Sequence, residues 1–271
     1  MKKALIAVIC VLVGVCEGQD LIEEISHSTS AITRAIDQNQ LDPIITHDFQ
    51  KAKELVEKHI DVNAQDEDGN TPLMFLARLM EPLCRGISEE KIQRDIVFDI
   101  ENVAEIVLEN GADVYIKNKT GSTALEEMQS SQRGYWLILA VRSGREDLVK
   151  LLLDETTVNT RDITNNTPLI WSARIDQSLD IAKLLIDCGA DVNAVNVSHN
   201  TALMAAAQLF NVELVKLLLD HPKIDLNVKD IYGFTVLKAM KETGKHISLD
   251  SEKHSKLLEI IKILEEKGAE E

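Results

Sequence analysis

Seven histidines are the first candidates for chemistry, and they lie apart: His27, His47, His59, His199, His221, His246 and His254. None has a second His or a Cys at metal-ligand spacing. Asp66-x-Asp68-Gly69 looks like a fragment of a calcium loop, but the first ligand position falls on Ala64 and no Glu stands at the twelfth. No G-x-G-x-x-G, P-loop or G-x-S-x-G occurs. Asn118-Lys119-Thr120 and Asn196-Val197-Ser198 are glycosylation acceptors only in a eukaryotic secretory route. The sequence therefore offers no catalytic residue, no metal site and no cofactor site. What it does offer is the chemistry of binding: Arg78, Arg142, Arg174, Gln208 and Trp171, and a set of apolar or aromatic residues inside polar stretches, namely Ile163, Val197, Ile231, Tyr232 and Phe234 with His199 among them.

Those residues are positioned by a recurring unit, most complete over Asp162 to Asn196. A polar turn leads into Thr167-Pro168-Leu169, where a proline in the first helical turn loses no needed N–H. A second amphipathic run carries Leu179, Ile181, Leu184 and Leu185 at helical spacing. It stops at Gly189, a residue that tolerates the left-handed conformation of a helix C-terminus. Ala190-Asp191-Val192-Asn193 leads into the next turn. Such a unit has one apolar face and buries it only against a copy of itself. Thr167, Thr201 and Thr235 fall 34 residues apart each time, and each opens such a copy.

TPL, LL and GADVN, in that order and spacing within one unit, resemble the ankyrin repeat, with its period of about 33 residues, turn, and two antiparallel helices. Gly111-Ala112-Asp113-Val114 and Gly268-Ala269 repeat the ending, and Asp68-Gly69-Asn70-Thr71-Pro72-Leu73 the beginning. The resemblance covers roughly Asp61 to the C-terminus and implies an all-α ankyrin-repeat solenoid of about six repeats. The divisions are 1–18 signal, 19–64 capping helices and a worn repeat, and 65–117 a repeat with a helical insertion at 81–101. Then come compressed repeats at 118–161, full repeats at 162–196 and 197–230, and a C-terminal capping repeat at 231–271 with an insertion at 241–252. The first insertion reads as a loop through Pro82 and Gly86, followed by a helical turn from Ser88. The register between 117 and 136 is the loosest part.

In proteins of this kind the turn tips and the exposed face of each first helix line a concave binding surface. The tips here carry Ile163, Val197, Ile231, Tyr232 and Phe234, either as a partner patch or tucked under the neighbouring turn. Arg78, Arg142, Arg174 and Gln208 stand two turns into successive first helices. They read either as forks for a carboxylate-bearing partner or as solvated residues neutralising nearby Asp and Glu. Trp171 is core or an exposed anchor, and it is kept among the candidate partner-binding residues. The family's His after TPL is absent, replaced by Met74, Glu126, Ile138, Ile170, Met204 and Lys238, which removes a polar link between repeats. Asn165 and His199 stand where Gly69, Gly121 and Gly233 stand in other turns, and both residue types tolerate positive φ.

The totals fit this reading. The 271 residues are 45% hydrophobic, ordinary for a folded chain, and only 4% aromatic. A net charge of −16 without a dense Lys/Arg stripe disfavours nucleic acid. Met1-Lys2-Lys3, the apolar run Ala4 to Val15 and the small residues Gly14, Cys16 and Gly18 read as a secretory signal in bacterial style, cleaved near Cys16 or Gly18. Val15 departs from the pattern that would make Cys16 a lipid anchor. Cys84 and Cys188 are expected to be unpaired thiols. The expectation is an exported monomer, periplasmic, cell-envelope or secreted, that binds a protein partner and is not an enzyme. It acts as an adaptor or, alternatively, as a secreted effector of a host-associated bacterium binding a host protein.

Overall fold

The computed structural model describes residues 62–66, 68–85, 104–105, 107–128, 132–175, 178–245 and 252–270. The expected signal segment, the helices expected before residue 61 and most of the expected first insertion lie outside these residues, as does Cys16. The chain divides into two compact units, 1–133 and 134–271. That boundary falls inside the stretch where the sequence register is loosest. Among the described residues all regular structure is helical, and no helix is long and apolar enough to cross a membrane.

In the first unit α1 (Pro72–Arg85) packs on the single turn α2 (Ala124–Glu127). The helix α1 continues through Glu81-Pro82 to Arg85, where the sequence suggested a loop. Pro82 sits in the last turn, where it removes only one intrahelical N–H bond while the preceding turns hold the axis. Thr123 caps α2 through a reciprocal capping box with Glu126, one of the residues standing in for the family histidine.

In the second unit α3 (Arg133–Arg142) precedes α4 (Glu146–Leu152). The pairs α5 (Pro168–Ser172) and α6 (Leu179–Asp187), α7 (Ala202–Gln208) and α8 (Val212–Leu219), and α9 (Val236–Gly244) and α10 (Glu252–Glu266) follow. First helices stack on first helices, α5 on α7 on α9, and second helices on second helices, α4 on α6 on α8 on α10. The 34-residue periodicity dictates this. Thr167, Thr201 and Thr235 each accept the N–H three residues on, at Ile170, Met204 and Lys238. Inward side chains then lie at matching heights: Leu169, Leu203 and Leu237, each two residues after its cap and all buried. Each such side chain is worth about 1.5–3 kcal/mol when removed from water. Gly189 (φ +91) ends α6, with its N–H on Ile186 and that of Ala190 on Leu185.

The helix α3 is buried from Gly134 to Val141 on every side, unlike the amphipathic α6 and α8. Gly134 makes this possible: a Cβ there would lie 2.0 Å from Thr160 Oγ1.

Candidate functional site

Each turn is built on one Asx side chain. Asp162 Oδ1 accepts the N–H groups of Thr164 and Asn166 at 2.8 and 2.9 Å. Asn196 does the same for Ser198 and Asn200 (2.9 and 3.0 Å), and Asp230 for Tyr232 and Phe234 (2.8 and 2.9 Å). In the first unit Asp66 and Asn118 repeat the arrangement. This is the Asx turn, in which a side chain imitates a backbone acceptor. Asn165 and His199 adopt φ of +58 and +57 in these turns, as their replacement of glycine requires.

Successive turns are then tied together. Asn196 Nδ2 donates to Asn166 Oδ1 at 2.9 Å, and both amides are buried. Val197 N donates to Thr164 O (3.0 Å), and Ile231 N to Ser198 O (3.3 Å). A second ladder runs at the helix exits. Asn159 Oδ1 accepts from Asp191 N and Asn193 Oδ1 from Asp225 N, each at 2.8 Å, and Asn227 Oδ1 accepts from Glu270 N at 3.0 Å. These asparagines supply polar links between repeats in the absence of the family histidine. Sequence reading missed them, although their recurrence in the DVN and turn positions was the available signal.

On this scaffold Ile163 and Phe234 are half-buried, whereas Val197 (57%), Ile231 (55%) and Tyr232 (77%) stand out into solvent. Both readings of the tips therefore apply, to different residues. The hydrogen bond from Ile231 to Ser198 sets the exposed three on adjacent tips. Lys238 lies over the Phe234 ring at 4.9 Å. His199 is exposed, as is Gln208 at the end of α7.

Trp171 departs from the core reading. Its neighbours Leu169, Ile170 and Ser172 are buried, while the indole is only half-buried on the outer side of α5. Its Nε1–H donates to Asp162 Oδ2 at 2.6 Å, so the carboxylate that builds the turn also fixes the ring. Arg142 lies over this ring at 4.8 Å and Arg174 at 5.5 Å from the centroid. The structure thus brings Arg142, Trp171 and Arg174 into one cluster.

Arg78, in the first unit, has a different fate. Its Nε and Nη2 reach the two carboxylate oxygens of Glu127, both at 3.1 Å, and Nη2 also donates to Asn70 Oδ1. The Arg78 fork holds the Glu127 carboxyl below its ordinary range. Arg78 therefore neutralises a neighbour, as the second reading of the arginines has it. Among the described residues no group of His, Cys, Asp and Glu is arranged to hold a metal. Cys188 is a half-buried free thiol.

Comparison with known proteins accords with this geometry. Residues 97–196 and 137–230 match the family model for ankyrin repeats, in three copies. Inversin of Danio rerio is 37% identical over 82 residues, which cover 30% of this chain and 8% of that protein. Neurogenic locus notch homolog protein 1 of Xenopus tropicalis is 29% identical over 180 residues, 66% of this chain and 6% of that protein. Human ankyrin repeat and SOCS box protein 6 is 31% identical over 130 residues, 45% of this chain and 28% of that protein. The chain spans less than a third of the length of each of these relatives. Periodicity, paired-helix stacking and these matches converge: the chain is an ankyrin-repeat protein with an all-α solenoid fold.

Proposed function

We propose that the chain is a non-catalytic protein–protein interaction module that works as an exported adaptor. It holds its partner on the turn tips and the exposed side of the first helices of the second unit. The observation that carries this reading is the exposure of Val197, Ile231 and Tyr232 on adjacent tips, in a molecule whose other apolar repeat residues are mostly spent on stacking. Exposed apolar side chains gathered in one place are characteristic of interaction surfaces, and tyrosine adds contact area at low entropic cost. Export is supported by the Met1-Lys2-Lys3 start and the apolar run that follows. A secreted effector acting on a host protein uses the same surface and differs only in where the partner resides.

The test is affinity capture from native extract with the full chain, beside a variant carrying Val197→Ser, Ile231→Ser and Tyr232→Ser. The variant is expected to keep its helical circular dichroism and lose most of the captured protein. Equal capture by both would remove the tips from the binding surface. Cell fractionation, with and without residues 1–18, tests export: a chain that stays in the cytoplasm in both cases contradicts it.

A further inference from the structure

We propose that the Arg142–Trp171–Arg174 cluster reads a carboxylate on an acidic segment of the partner protein. This rests on the interaction reading above and adds the chemistry of what is gripped. The starting point is a register rule visible in the repeats. Arg78 stands seven residues after Thr71, at the head of its first helix, and meets Glu127, four residues after the cap Thr123 of a later repeat. In the second unit Arg142 meets Trp171, which stands four residues after the cap Thr167. Arg174, seven after Thr167, corresponds in this register to Ala205, four after the cap Thr201 and buried. Ala205 has no carboxylate to give.

The protein therefore contains, at Arg78 and Glu127, its own example of the pair that this register makes. At Arg174 the carboxylate partner is missing. Its exposed guanidinium leans on the Trp171 face, and no described residue forms an ion pair with it. Stacking uses the face of a guanidinium and leaves its edge N–H donors in the fork geometry that suits a carboxylate. The indole is held from its edge by Asp162, itself fixed by the turn, so the ring is a fixed platform rather than a loose side chain. Arg174 sets an exposed positive charge on this ring, on a chain with a net charge of −16. A protein segment bearing Glu or Asp is complementary to it. The net charge of the whole chain opposes any long polyanion, which favours a short carboxylate segment over a polyphosphate backbone.

The test is titration calorimetry of the full chain with blocked hexaglutamate at about 0.15 M salt, where long-range repulsion is screened beyond about 8 Å. Saturable binding is expected. Arg174→Gln is expected to weaken it about tenfold, the loss typical of one charge-assisted hydrogen-bonded contact. Arg174→Lys should recover only part of that loss, because a point charge replaces a fork. Leu258→Ser, at an exposed residue of α10, should leave hexaglutamate binding unchanged. Arg174 is exposed, so its variants fold. No binding, binding indifferent to Arg174→Gln, or tighter binding of a single-stranded oligonucleotide of equal charge would each overturn the proposal. If hexaglutamate fails while partner capture still depends on the tips, the acidic-segment proposal falls and the interaction module stands. If capture ignores the tips as well, both fall.

Discussion

Each of the two units has an arginine seven residues after the threonine that precedes a first helix, Thr71 or Thr167, and the two are used in opposite ways. In the first, Arg78 is closed into a two-pronged contact with Glu127 and a bond to Asn70. In the second, Arg174 rests on an aromatic face with its side chain exposed. The turns beneath them are the same: Asp66 and Asp162 accept the corresponding two N–H groups. Turn chemistry is thus shared because stacking demands it. The outer face of the first helix is not bound by that demand, and one residue four positions past the next cap decides whether it is sealed or open.

Several substitutions would break or sharpen that contrast. The largest effect belongs to the start of α3. Gly134→Ala drives a Cβ into Thr160, at 2.0 Å from its Oγ1 and 2.8 Å from its Cβ. A loss of about 3 kcal/mol is expected in urea unfolding, partly relieved by Thr160→Ala in the same chain. Asp162→Ala comes next, because it removes the acceptor of two turn N–H groups and of the Trp171 indole. About 2 kcal/mol should be lost. Asp162→Asn should cost far less, since Asn118 and Asn196 build the same turn. Equal losses for the two variants would show that charge, not turn geometry, is what matters there.

Thr201→Ala deletes a helix cap common to both units and should cost about 1 kcal/mol. The smallest effect tests the sealed arginine. Arg78→Ala should cost at most about 1 kcal/mol at neutral pH, for a pair that remains partly exposed to solvent. Glu127 has its folded-state pKa lowered, first by the Arg78 hydrogen bonds. Its contribution is therefore present above the unfolded carboxyl value of about 4.3 and disappears as pH falls through the lower folded value. The wild type and Arg78→Ala should converge in stability only once the pH has fallen below that lowered folded value. A gap that persists in acid would mean that the Asn70 contact, and not the ion pair, is what Arg78 contributes.

The repeat body was legible because its signals are local. Thr167, Thr201 and Thr235 cap helices that begin one residue later, and the capping bond spans three residues. Asn165 and His199 betrayed their left-handed backbone by standing where glycine stands elsewhere. The inter-repeat amides showed in the sequence only as a recurrence of asparagine, since the partner of Asn166 lies thirty residues away at Asn196. Trp171 was ambiguous for a related reason. Hydrophobicity places a tryptophan inside a helix pair, but Asp162 holds its Nε1 at the edge and the ring stays half in solvent. The sequence could place three arginines in one register. Only the neighbours, Glu127 for Arg78 and Trp171 for the others, separate their roles.

The most direct measurement is oxidative side-chain footprinting of the full chain, free and bound to the protein it captures. Trp171 and Tyr232 report the first-helix face and the tips, and the exposed Leu151 on α4 and Leu258 on α10 serve as controls. Strong protection of Trp171 and Tyr232 with unchanged oxidation of the two leucines is the predicted result. Protection of Leu151 and Leu258 with Trp171 and Tyr232 unaltered would place the partner on the second helices and contradict the account.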